Sequence, residues 1–190
     1  MTDLTLNLPA SAPAAAPEPG AEGPPAGELV SLGEALSCQV TYSCEDIARF
    51  ARESGDTNPL HLDPDAARRS RHGRIIASGQ QTAARMMGLV ASHFSRPRAG
   101  LAREVLCLNF NFAFRAPVFA EQALTLHWTV EQLSLNRKLG GWLAELAGQA
   151  SRTDDGTPCV IGRGTVLVKG HTEPDPRPDD LQECQAHVAQ

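Results

Sequence analysis

Residues 78–115 read SGQQTAARMMGLVASHFSRPRAGLAREVLCLNFNFAFR, and inside this stretch the period of the apolar residues changes. Ala83, Met86, Met87, Val90, Ala91 and Phe94 recur at three- and four-residue spacing, which places them on one face of a helix. Ser78 followed by Gln81 forms a capping-box pattern, so the helix is predicted to start at Ser78 with that serine as its cap. Ala84, Gly88 and Ser92 on the remaining positions are small, and a broad apolar stripe with a small-residue back suits a helix wrapped by other structure. The Met86–Met87 pair is read as core filling.

Downstream of that helix the period becomes two. Leu106, Leu108, Phe110, Phe112 and Phe114 alternate with Cys107, Asn109, Asn111, Ala113 and Arg115, as successive side chains of a strand do. After a turn at Ala116-Pro117, Leu124, Leu126, Trp128 and Val130 alternate in the same way. Further strands are predicted over 142–151 and 159–169, separated by turns at 136–141 and at Asp155-Gly156. A meander of long antiparallel strands after one central helix is an α+β arrangement in which the sheet can curl around the helix.

Upstream, Ser43-Cys44-Glu45-Asp46 is an N-cap pattern and Gly55 a terminator, which bracket a short amphipathic helix carrying Ile47, Phe50 and Ala51. Asp63-Pro64 opens a second, shorter helix running to about Ser70. Between them lies Gly55-Asp56-Thr57-Asn58-Pro59-Leu60-His61-Leu62-Asp63. On a continuous helix Asp56 and His61 would point about 140° apart. Gly55 ends the helix, however, and Pro59 drives Asn58 out of the α region, so an irregular loop can bring the carboxylate and the imidazole together. By spacing alone the segment reads first as a turn whose Asp56 and Asn58 bond nearby amides.

The chain from Tyr42 to Leu89 resembles the MaoC-like dehydratase family, which includes the (R)-specific enoyl-CoA hydratases. The resemblance is carried by Asp46-Ile47-Ala48-Arg49-Phe50, by the 55–63 segment and by Gly73-Arg74-Ile75-Ile76-Ala77-Ser78-Gly79, with Phe110-x-Phe112 and Ala116-Pro117-Val118-Phe119 further on. It implies a hot-dog fold assembled as a homodimer or larger homo-oligomer. It also implies a lyase of fatty-acid metabolism that hydrates an enoyl thioester or dehydrates a 3-hydroxyacyl thioester. Asp56 and His61 are then the catalytic pair, and Asn58 orients them. Many members have His-Gly where this chain has Ser78-Gly79.

Enolate charge on the thioester oxygen needs hydrogen-bond donors. Free amides at the start of the central helix supply them, and Gly79, with no side chain in the way, is the candidate. Ser78 is read as the helix cap beside the site. Eight arginines and no acidic residue occupy 66–103; Arg68, Arg71, Arg74, Arg96 and Arg98 are candidate contacts for the phosphates of CoA. CoA enters only as part of the substrate, an acyl-CoA or acyl-carrier thioester, and no separate cofactor or metal is expected. Two other readings stay open: a hot-dog acyl-CoA thioesterase, and a non-catalytic acyl-thioester-binding subunit.

The 190 residues are enough for one domain. Residues 1–27 are an Ala/Pro-rich leader expected to be disordered, 28–170 the folded domain, and 171–190 a polar tail. A net charge of −5 argues against nucleic-acid binding. No apolar run approaches bilayer length and the first basic residue is Arg49, so neither a membrane partner nor a secretory signal is expected and the location is taken as cytoplasmic. Five scattered cysteines, none spaced as C-x-x-C, read as reduced thiols.

Overall fold

The computed structural model describes residues 26–171. In chain order its elements are α1 (Ala26–Leu29), β1 (Ala35–Val40), α2 (Cys44–Ser54), α3 (Pro59–Leu62), α4 (Pro64–Arg69), α5 (Gly79–Phe94), β2 (Ala102–Phe114), β3 (Leu124–Asn136), β4 (Gly141–Arg152) and β5 (Pro158–His171). The leader and tail expected from composition lie outside the described residues, apart from the Ala26 and Gly27 end of α1 and the last residue of β5.

One five-stranded sheet has the order β1-β3-β4-β5-β2, every neighbouring pair antiparallel. It curls around α5, which contacts all five strands. This is the hot-dog fold, an α+β architecture. The meander is realised in β3-β4-β5, but β2 pairs with β5 and not with β3. The Ala116-Pro117 turn therefore begins a crossing from the edge strand β2 to β3, the strand next to the opposite edge. No loop residue encodes that choice, because strand partners are selected by how the faces pack. β1, which the periodicity analysis passes over, closes the opposite edge against β3. Its six residues, ALSCQV, bury only Leu36, so they carry almost no alternation signal.

The inner face of β3 follows its pattern: Leu124, Leu126, Trp128 and Val130 are all buried. Trp128 donates its indole N–H to the Met86 carbonyl of α5 at 3.0 Å and lies edge-on to Phe110 and Phe112. A side chain at Gly148 or Gly162 would collide with the indole. Large rings facing glycines give a close sheet-to-helix seam, and the seam fixes the height of α5. Met86 is fully buried as expected, whereas Met87 is 36% exposed.

The strict alternation read across 106–114 does not survive in β2. The register with β5 shifts between Cys107 and Asn109, and a bulge of that kind swaps which face receives each residue. Val105 packs on the core before it, and Phe110 and Phe112 after it. Leu106 and Leu108 are left exposed on an edge strand.

Candidate active site

Two caps build the segment that holds the catalytic candidates. Ser43 and Asp46 make both halves of a capping box at the start of α2, and Gly55, at φ 74°, ends that helix in the left-handed region. The chain then does not wander as an irregular loop. Asn58 caps a single helical turn, its Oδ1 accepting the Leu60 N–H at 3.1 Å, and Pro59 takes the first position of that turn. The turn presents His61 inward. Asp63, at its end, caps α4 through the Asp65 and Ala66 N–H groups.

Asp56 and His61 meet. Asp56 Oδ2 lies 3.5 Å from His61 Nε2, with the His61 side chain 7% and the Asp56 side chain 21% exposed. The opposite ring nitrogen, Nδ1, is 2.7 Å from the Ile76 carbonyl. A carbonyl only accepts, so Nδ1 carries a hydrogen and Nε2 is the nitrogen left to gain or lose a proton. The Asn58 backbone N–H donates to Asp56 Oδ1 at 3.1 Å and turns the second carboxylate oxygen toward the ring. Asn58 thus holds Asp56 by its backbone and His61 by its cap. Its own side chain is exposed and does not line the cavity beside the pair.

The pair opens onto a cavity of about 480 Å³ lined also by Ile76, Ser78, Gly79, Phe114, Arg115 and Val160. Gly79 and Ser78 bring the N-terminus of α5 to the same space. The missing side chain at Gly79 serves packing: a Cβ there would stand 2.7 Å from the Phe114 ring. Ser78 occupies the cap position, with φ −60° and ψ 138°, but its side chain makes no cap hydrogen bond. The predicted box is not formed, because Gln81 reaches across to the Asp46 carbonyl at 3.4 Å and ties α5 to α2.

The arginine candidates separate. Arg71 lines the cavity together with His72, to whose Nε2 it donates at 3.3 Å. Arg74 stacks over Phe119, 4.2 Å from the ring centre. Arg68 pairs with Asp65 on the outer side of α4. Arg96 and Arg98 follow the opposite end of α5, where the Arg96 carbonyl accepts from Arg103 and Arg98 pairs with Glu34. A helix of 16 residues sets them about 24 Å from the first turn. Arg115 and Phe114 are cavity residues that periodicity missed. The only available signal was their place at the end of β2, where a strand gives way to the turn before Val118.

A second cavity, of about 440 Å³, lies between α2 and α5 and is lined by Tyr42, Arg49, Phe50 and Arg85 among others. It contains neither Asp56 nor His61. No helix among the described residues is long and apolar enough to cross a membrane.

The model of the MaoC like domain matches residues 31–139. A UPF0336 protein of Clavibacter michiganensis is 30% identical over 127 residues, which are 66% of this chain and 83% of that protein. A 3-hydroxybutyryl-CoA dehydratase of Methylorubrum extorquens is 31% identical over 140 residues, 74% of this chain and 79% of that one. Among solved structures, the (R)-hydratase from A. caviae superposes with a TM-score of 0.62 at 26% identity, covering 72% of this chain and 96% of that chain.

Proposed function

The chain belongs to the MaoC-like domain family, and on that premise we propose that it hydrates an enoyl-CoA to a 3-hydroxyacyl-CoA and catalyses the reverse dehydration. The supporting observation is the Asp56–His61 contact, in which Nδ1 is anchored and Nε2 faces the carboxylate across 3.5 Å. A neutral imidazole and an ionised carboxylate both offer lone pairs there. A water placed against them donates one hydrogen to each, which aims its oxygen out of the pair and into the cavity.

In the hydration direction that oxygen bonds to the β-carbon of the enoyl group. The pair takes one proton from the water as the carbon–carbon double bond opens. Electron density moves onto the thioester oxygen, which the free amides at the start of α5 stabilise. The proton then returns from the pair to the α-carbon, so the pair ends as it began. Asp56 and His61 act on the water together in this scheme, with the Ile76 carbonyl steadying the imidazolium through Nδ1. Asp56, His61 and the α5 amides act on the substrate, while Asn58 positions the first two. Arg71 and Arg115 at the cavity are the cations best placed for the CoA phosphates. No further cofactor is invoked, and the protein works in the cytoplasm as a homodimer.

Purified protein mixed with crotonyl-, longer and branched enoyl-CoA thioesters provides the test. Decay of the enoyl absorbance with formation of a 3-hydroxyacyl-CoA and no free thiol is the expected result. Release of thiol would identify a thioesterase, and silence across the panel a binding subunit; either would overturn the proposal.

A further inference from the structure

Ser78 sits where a helix cap belongs, yet its hydroxyl does no capping. It accepts nothing from the first turn of α5; the Gln81 N–H goes to the Ser78 carbonyl at 3.1 Å, and the Gln81 side chain is held by Asp46. Ser78 is only 4% exposed. The hydroxyl is not fully sealed from solvent, and Ser78 lines the cavity that holds Asp56 and His61. Thr82, one turn later, has its hydroxyl sealed from solvent beside Tyr42 and cannot serve a ligand.

We infer that Ser78 is a catalytic residue whose O–H donates, beside the Gly79 N–H, to the thioester oxygen of the bound substrate. The inference rests on the hydration reading above and deepens it. A hydroxyl with no protein partner at the wall of the cavity is free to donate to a bound ligand, and a largely buried polar group is costly to leave without one. The positive end of the α5 dipole lies at the same point. The Phe114 ring occupies the Cβ side of Gly79, which keeps the oxygen off that side. No proton is transferred by Ser78. Its hydrogen bond strengthens as charge builds on the oxygen, and a bond that is stronger in the transition state raises kcat and leaves KM nearly unchanged.

Three variants separate this role from capping. Ser78→Ala removes the hydroxyl. Ser78→Gly also removes it but keeps a residue that caps within a few tenths of a kcal/mol of serine. Ser78→Thr keeps the hydroxyl. Measured on an enoyl-CoA that the wild type hydrates, Ala and Gly are expected to lower kcat on the order of 100-fold with KM little changed, and Thr to retain most of the rate. A bound 3-oxoacyl-CoA gives a reading independent of turnover. Its enolate band in the ultraviolet should appear at lower pH on the wild type than in free solution, and at higher pH on Ser78→Ala than on the wild type.

Wild-type kcat in Ser78→Gly, or an enolate titration that Ser78→Ala leaves in place, would overturn the role of Ser78 and leave the hydration reading standing. A wild type that hydrates no enoyl thioester would bring down that reading and this inference together.

Discussion

Asn58 shows how one residue can hold two others in place. Its side chain caps α3 and so aims His61, while its backbone N–H holds Asp56 Oδ1. Asn58→Ala removes the first of these and keeps the second. The cap is worth about 1 kcal/mol, and a misplacement of His61 on the order of 1 Å costs about 100-fold in rate. The variant is therefore expected to lose far more turnover than stability, and Asn58→Ser, which can cap again, to recover most of it. Equal proportional losses, followed by thermal melts and initial rates, would contradict this. The residues of this loop were readable from sequence because glycine and proline dictate backbone shape. The Nδ1 bond to Ile76, 15 residues away, was not, since nothing in the spacing reports which carbonyl a distant turn will present.

Among the elements, the span of α5 and the first half of β3 were legible because burial on one face imposes a strong period; beyond Val130 a register shift with β4 ends the alternation in β3. β1 was not, because it is short and mostly exposed, and β2 only in part, because its bulge breaks the alternation. A cluster at the C-terminal end of α5 escaped the sequence entirely. Arg103, 8% exposed, donates to the carbonyls of Leu29, His93 and Arg96. Glu34 receives His93 at 2.7 Å and pairs with Arg98. This clasp joins the segment before β1, the end of α5 and the start of β2. Burial pushes the Glu34 carboxyl upward, but the hydrogen bonds from His93, the Ser31 N–H and Arg98, with the Arg98 charge, outweigh it and hold the group below the usual 4.5. A lowered carboxylate pKa adds stability above the usual value, and that contribution is lost as pH falls through the folded pKa. Glu34→Gln should then melt at a lower temperature than wild type at neutral pH, and the gap should close as the pH drops below 4.5. A gap that stays constant down to pH 3 would show that the charge of Glu34 is not what the clasp uses.

For the molecule as a whole, the fold sets a pair of side chains and a helix end around one cavity, and ends the sheet on a long edge strand, β2. β2 is 13 residues long and unpaired on its outer side, with Leu106, Leu108 and Phe114 between 42% and 57% exposed. Long apolar edges are rare in isolated chains. We expect a dimer by light scattering on a sizing column, and a shift to monomer in Leu106→Lys/Leu108→Lys; a monomeric wild type would refute this. Inside the cavity, the proposed mechanism has Asp56 and His61 act on one water. Rates of enoyl-CoA hydration by wild type, Asp56→Asn, His61→Gln and the double variant decide whether they do. If the pair works as a unit, each single change should cost nearly as much as both, on the order of 1,000-fold or more; a double variant whose loss equals the product of the two single losses would contradict it.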